Sequence, residues 1–129
     1  ENQQFDSDII FTSWIEDADK VFAGADITAL TSYNEGTPVS LIESQAANTP
    51  IISTNVGGIQ DIVLNNKTAL LATNNCLNDF SDKLFLLVED DILRKNMSDK
   101  GWDFVKEKFH YNRLVNDMTK LYDNLLENY

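Results

Sequence analysis

Apolar residues along this chain follow two rhythms. In one they form short unbroken runs: Ile9, Ile10 and Phe11 in "DIIFTSW", Ile27 to Leu30 in "ITALTS", Ile51 and Ile52 in "PIISTN", and the core of "TALLAT". Runs this short without polar alternation predict strands buried on both faces, as in a parallel sheet. Pro50 stands at the first position of its run, where a strand tolerates proline. In the other rhythm apolar residues recur every three or four positions, which predicts helices. Ala18, Val21, Phe22 and Ala25 make a short one; the stretch from Thr37 to about Asn48 makes a second; "IQDIVLNN", after the Gly57-Gly58 turn, makes a third, closed by its Asn pair. Leu77, Phe80, Leu84 and Leu87 share one helical face. Leu93, Met97, Trp102, Val105 and Phe109 read as two helices broken near Gly101, and Leu114, Met118, Leu121 and Leu125 as a last one. All these stripes are expected to face the core.

Strand and helix alternate four times before helices accumulate at the C-terminal end. That order predicts an α/β fold, a Rossmann-like parallel sheet with helices on both faces and a helical C-terminus. A chain of 129 residues is one domain with room for a core. With 43% hydrophobic and 24% charged residues it is globular and not disordered. No apolar run approaches the ~18 residues of a membrane span, and "ENQQFDSD" lacks the basic and apolar regions of a signal peptide, so a cytoplasmic location is expected.

Charge and side-chain chemistry narrow the function. The formal net charge is −11, the wrong sign for nucleic acid or an anionic membrane. Any phosphate is therefore expected to be held by backbone amides or by basic residues supplied from elsewhere. Cys76 is the single cysteine and His110 the single histidine, too few for a disulfide, a Cys-His or Ser-His nucleophile, or a zinc site. Cys76 reads as filler in a polar loop before a helix, and His110 as a helix-junction residue.

The stretch "NEGTPVSLIESQAANTP", residues 34–50, is where chemistry gathers. It follows the second strand, and ligands of open α/β sheets bind beyond the carboxyl ends of the strands. Thr37 is suited to an N-cap and Pro38 to the first helical position. The next amides, of Val39 and Ser40, then point out of the helix end with the positive end of its dipole, an anion site that needs no lysine. Gly36 leaves room for a ligand against the backbone. Glu35 stands before the helix end, and Glu43 lies five residues beyond Pro38, roughly 7–8 Å at 1.5 Å per residue. Carboxylates accept hydrogen bonds from paired hydroxyls. Hydroxyls at both ends and a phosphate between them describe a nucleoside-diphosphate sugar. The same acids also fit a plainer reading, in which Glu35 only complements a helix dipole for ~0.3–1 kcal/mol and Glu43 is solvated or ion-paired.

Taken together, "YNEGTPVSLIESQAANTPIISTNVGGIQDIV" with the flanking "IIFTSW", "VFAGADITALTS", "TALLAT" and "LVEDDILRKNM" resembles the C-terminal, donor-binding domain of the retaining GT-B glycosyltransferases of group 1 (family 4 type). Its hallmark is two glutamates separated by seven residues, then an apolar strand and a Gly-Gly, and the likeness runs from about Ile9 to Tyr122. The resemblance implies that Glu35 binds hydroxyls of the donor hexose near the reacting carbon and is the catalytic residue of this half. It implies that Gly36, Thr37 and Pro38 line the sugar, that the amides of Val39 and Ser40 face the diphosphate, and that Glu43 holds the ribose diol. Ser13, Trp14 and Ile15 would lie near the nucleobase, although the family usually has Gly where this chain has Ser13. Gly57, Gly58 and Asp61 match a family turn and read as scaffold.

Set against the family's pattern, residues 1–129 are expected to form a single nucleotide-sugar-binding domain that is incomplete. Its first two strand-helix units and the acceptor-binding domain are expected to lie outside it. Those units normally carry an Arg and a Lys that neutralise the leaving diphosphate, so the chain by itself is expected to be inactive; turnover of a radiolabelled donor would overturn that. The strand at Ile9–Thr12, without its neighbours, is expected to be displaced or to drive self-association. No metal or other cofactor is expected, since the family does without one and no Asp-x-Asp follows a strand. The enzyme so implied is a hexosyl transferase of polysaccharide or glycoconjugate biosynthesis, brought to the inner face of a membrane, if at all, by the absent domain. Two other readings stay open: a receiver-like signalling domain, although the strand ends lack its acids and lysine, and a non-catalytic interaction module.

Overall fold

The computed structural model describes residues 8–127. Three strands, β1 (Thr28–Leu30), β2 (Ile51–Thr54) and β3 (Ala69–Ala72), form a parallel sheet in the order β1-β2-β3. Around it run α1 (Ala18–Gly24), α2 (Val39–Ala46), α3 (Ile59–Ile62), α4 (Leu77–Glu89), α5 (Asp91–Phe109) and α6 (Tyr111–Glu127). Leu30 aligns with Ser53, and Thr54 with Ala72, so all three strands finish along one rim.

The strand residues sort by parity onto two cores, because successive side chains of a strand point to opposite faces. On one face Ile51, Ala69 and Leu71 pack with Leu41 of α2, Ile59 and Ile62 of α3, and Phe109. On the other, Ile52, Leu70 and Ala72 pack with Phe80, Leu84 and Leu87 of α4 and with Leu93 and Met97 of α5. The α/β sandwich expected from the unbroken apolar runs is what forms.

The sheet's edges differ. Along β3 the loop before the strand folds back: the Asn66 N–H donates to the Ala69 carbonyl at 2.8 Å, and the Leu71 N–H donates to Asn65 Oδ1 at 3.1 Å. A side-chain amide thereby stands in for the next strand and blunts that edge. Along β1 no strand among the described residues pairs with the outer side, and Ala29 at its centre is exposed.

Three expectations are corrected. Residues 9–12 form no strand and are not buried: Ile10 is 83% and Phe11 92% exposed. An extended segment gains nothing from its apolar side chains until a neighbour satisfies its amides, and among the described residues none does. The segment is displaced from the sheet, the alternative foreseen for it. Gly101 does not break a helix, since α5 runs unbroken through it. A Cβ there would meet the Gln45 carbonyl oxygen at 3.0 Å and its Cα at 3.3 Å, so glycine lets α5 lie close against α2. Finally, the α6 stripe is helical as expected but is not core. Leu114, Met118, Leu121 and Leu125 are all exposed, and α5 is the one element among the described residues packed substantially against α6. Periodicity of 3.6 identifies a face and does not say what covers it. Leu77 and Trp102 also lie outside the cores their stripes predicted.

Candidate functional site

The loop between β1 and α2 leaves the sheet at its carboxyl rim and is tied to the next loop along. Thr54, the last residue of β2, donates its hydroxyl to the Ser32 carbonyl at 2.6 Å. The Ser32 hydroxyl in turn donates to Glu35 Oε1 at 2.6 Å, within the short range of bonds to a carboxylate. The Gly58 N–H donates to the Glu35 carbonyl at 3.1 Å.

This contact requires both glycines of the Gly57-Gly58 turn. Gly57 has φ +52°, and a Cβ on it would stand 1.8 Å from the Glu35 carbonyl oxygen. A Cβ on Gly58 would stand 2.1 Å from the Gly36 carbonyl oxygen. The turn read as scaffold is the seat on which Glu35 and Gly36 rest.

Helix α2 begins one residue later than its sequence suggested. Pro38 is the N-cap, with ψ 105°, and its carbonyl accepts from the Leu41 N–H at 3.1 Å; Thr37 makes no side-chain cap. The fixed φ of proline suits either position, and here the extended ψ delays the first helical turn. The consequence for the site is small. Val39 and Ser40 become the first two helical residues, and their N–H groups have no partner among the described residues. Glu43 lies four residues from Val39, on the same solvent-facing side of α2, where both are exposed. Glu35 is half-buried, while Gly36 and Thr37 are exposed and Pro38 is buried.

Ser13, Trp14 and Ile15 lie in the coil ahead of α1, not at a strand end. Ser13 has φ +56°, the left-handed backbone that glycine adopts most easily, so the conformation expected of a glycine is present with a serine in place. Trp14 is 89% exposed and belongs to no core. The α1 helix that follows is fastened to the end of α2 by the Thr49 hydroxyl, which donates to the Phe22 carbonyl at 2.7 Å.

Beside the Glu35 turn a cavity of about 280 Å³ opens on the rim, between Thr31, Tyr33 and Thr54 on one side and Thr73, Cys76 and Phe80 on the other. Its far wall is fixed by a carboxylate of its own. The Thr73 N–H donates to Asp79 Oδ2 at 2.7 Å, and Lys83 pairs with Asp79 at 2.7 Å. Lys83, with help from Thr73, holds the Asp79 carboxyl at about 2, below its ordinary 3.8. Cys76 is exposed and free, and His110 joins α5 to α6, as their sequence contexts suggested.

Sequence reasoning missed Ser32 and Thr54. The available signal was the spacing S-x-x-E in "SYNE", since a serine three residues before a glutamate in a turn can reach its carboxylate.

A sequence model described as glycosyl transferases group 1 matches residues 1–103. Over 94 residues the chain is 35% identical to an uncharacterized glycosyltransferase of Methanocaldococcus jannaschii, covering 73% of this chain and 26% of that protein. Over 105 residues it is 35% identical to D-inositol 3-phosphate glycosyltransferase of Corynebacterium jeikeium, covering 81% of this chain and 25% of that one. Among solved structures, sucrose-phosphate synthase from Thermosynechococcus elongatus superposes with a TM-score of 0.77 at 25% identity, over 84% of this chain and 27% of that one. The chain spans about a quarter of the length of these curated relatives. Among the described residues no helix is long and apolar enough to cross a membrane.

Proposed function

The chain belongs to the group 1 glycosyl transferases, and from that premise we propose that it is the donor-binding part of a retaining enzyme that transfers a hexose from a nucleoside-diphosphate sugar. In this reading Glu35 takes hydroxyls of the donor hexose, next to the carbon that is transferred. Gly36, Thr37 and Pro38 line the sugar. The free amides of Val39 and Ser40 face the diphosphate, and Glu43 takes the ribose diol on the open side of the helix. Ser13, Trp14 and Ile15 border the nucleobase. Glycosyl transfer itself belongs to a longer enzyme, in which further residues bind the acceptor and supply positive charge to the leaving diphosphate. A net charge of −11 favours that division, because loss of a group stabilising such a charge costs ~3 kcal/mol or more of the barrier.

One observation carries the reading. A carboxylate already oriented by a neighbouring hydroxyl stands just ahead of a helix end whose first amides are unpaired. Such an arrangement offers an acceptor for hydroxyls and donors for an anion within one turn of chain.

The test has two parts. Saturation-transfer NMR with UDP- and GDP-hexoses is expected to show binding and to identify base and sugar; an empty spectrum with all of them refutes the assignment. In the full-length enzyme Glu35→Gln is expected to lower kcat at least about a hundredfold with the melting temperature unchanged, the scale of losing one charge-stabilising group. Undiminished turnover would remove Glu35 from the chemistry.

A further inference from the structure

We infer that Ser32 is a positioning residue for Glu35, backed by Thr54, and that this relay fixes which carboxylate oxygen is offered to the donor sugar; the inference rests on the donor-site reading above. A glutamate side chain has three rotatable bonds, and in the loop between β1 and α2, at a half-buried rim position, no helix or strand of its own holds it. Here the restraint comes from outside. The Ser32 hydroxyl spends its only proton on Glu35 Oε1 at 2.6 Å. Ser32 is held in place by its own carbonyl, which accepts the Thr54 hydroxyl at 2.6 Å. Thr54 ends β2, the central strand, which pairs on both sides. The relay therefore runs from the most constrained strand of the sheet, through two hydroxyls, to one carboxylate oxygen.

The other oxygen, Oε2, has no partner among the described residues and is the one left to accept from a ligand. The backbone beneath is fixed separately, by the Gly58 N–H on the Glu35 carbonyl. The main chain of Glu35 is thus anchored by Gly58 and its side chain by Ser32, which Thr54 holds in turn. Restraint of this kind lowers the ordering cost of binding at the hexose and leaves the nucleotide contacts alone.

That asymmetry supplies a readout which a purely structural role would not move. Calorimetric titration of the full-length enzyme with UDP, UDP-glucose, GDP and GDP-mannose gives the hexose contribution as the ratio of Kd for nucleotide and nucleotide sugar. Ser32→Ala is expected to weaken nucleotide-sugar binding about tenfold, the scale of one lost hydrogen bond to a charged group, with nucleotide binding unchanged. Ser32→Thr keeps the hydroxyl and is expected to restore it. Thr54→Val, one bond further back, shifts the same ratio about threefold. In a Glu35→Gln background Ser32→Ala adds nothing further. If Glu35→Gln weakens sugar binding while Ser32→Ala does not, or if Ser32→Ala weakens nucleotide and nucleotide sugar alike, the positioning role is overturned and the donor site stands. If the wild type binds none of the four, or Glu35→Gln changes nothing, the donor-site reading fails and takes this inference with it.

Discussion

The two ends of helix α2 are both pressed against glycines of other elements, with opposite results. At the C-terminal end Ser44 and Gln45 are fully buried. The Ser44 hydroxyl donates to Thr28 Oγ1 at 2.7 Å, and Gln45 Nε2 donates to the Leu41 and Ile62 carbonyls at 3.0 and 2.9 Å. Gly101 of α5 lies directly against Gln45. At the N-terminal end Gly57 and Gly58 lie against Glu35 and Gly36, yet the polar groups around them are open: two helix amides without partners, one carboxylate with a single bond, and exposed Gly36 and Thr37. Buried polar groups are costly unless paired, and here the Ser44 hydroxyl and the Gln45 amide nitrogen are paired, which leaves Gln45 Oε1 as the one buried side-chain polar atom without a partner among the described residues. The rim holds its backbone as tightly and keeps its donors and acceptors free. Close approach by glycine serves packing at one end and presentation of a site at the other.

The comparison breaks if disturbing the two grips has the same consequences. Gly57→Ala is the largest disturbance, since it combines a left-handed backbone with a carbon 1.8 Å from a main-chain oxygen that no rotamer change can clear. We expect a loss of about 3–5 kcal/mol in urea unfolding. In whatever fraction stays folded, nucleotide-sugar binding is lost as well, because the Glu35 turn must lift off its seat. Unchanged sugar affinity would mean that the turn is not set by this contact.

Gly101→Val tests the other end and should cost less. The first added carbon meets the Gln45 carbonyl oxygen at 3.0 Å, and two methyls follow it into packed space. Overpacking of this kind costs about 1–3 kcal/mol. Nucleotide-sugar affinity, measured on protein that is fully folded before titration, should equal that of the wild type. A parallel loss of affinity would show that α2 transmits strain from floor to rim.

How much of this difference was readable from the chain depends on what each residue answers to. Strands β2 and β3 were legible because an unbroken apolar run buried on both faces satisfies one local rule, and β1 was found by the same rule although its Ala29 is exposed. The Ile9–Phe11 run obeys the same rule and is no strand, since strand formation also needs a neighbour that the run itself does not specify. The α6 stripe fails in the same way: Leu114 to Leu125 define a helix and a face, and their burial depends on another body. Glu35 and the α2 start were legible as an acid beside a helix end, with an error of one residue in the cap. Thr54 was not, because its bond to the Ser32 carbonyl links the end of β2 to a loop 22 residues away, whereas Ser32 left only the S-x-x-E spacing as a signal. Glycine was misread once, at Gly101, and read incompletely at Gly57-Gly58, which is a turn as expected, both for one reason. Gly101 looked like a helix breaker and Gly57-Gly58 like an ordinary turn, whereas all three are sites of close approach, a property of pairs of segments.

The smallest expected effect concerns Asp79, the rim's other anchored carboxylate. Glu35 has one bond and an open oxygen, whereas Asp79 is engaged on both sides, by the Thr73 N–H and by Lys83. It therefore fastens the β3–α4 loop and is not available to a ligand. Its carboxyl is held at about 2 against an ordinary 3.8, chiefly by Lys83. A folded-state value below the unfolded one means that the stabilisation is fully present above the unfolded value and is lost as pH falls. Asp79→Asn should thus melt slightly below the wild type at neutral pH. The gap should narrow as pH drops from about 4 towards about 2, where the wild-type carboxyl takes up its own proton. Nucleotide-sugar affinity at neutral pH should be untouched. A gap that stays constant across that interval would show that the loss does not arise from the carboxylate's ionisation, and that charge on this rim loop contributes nothing to its fastening.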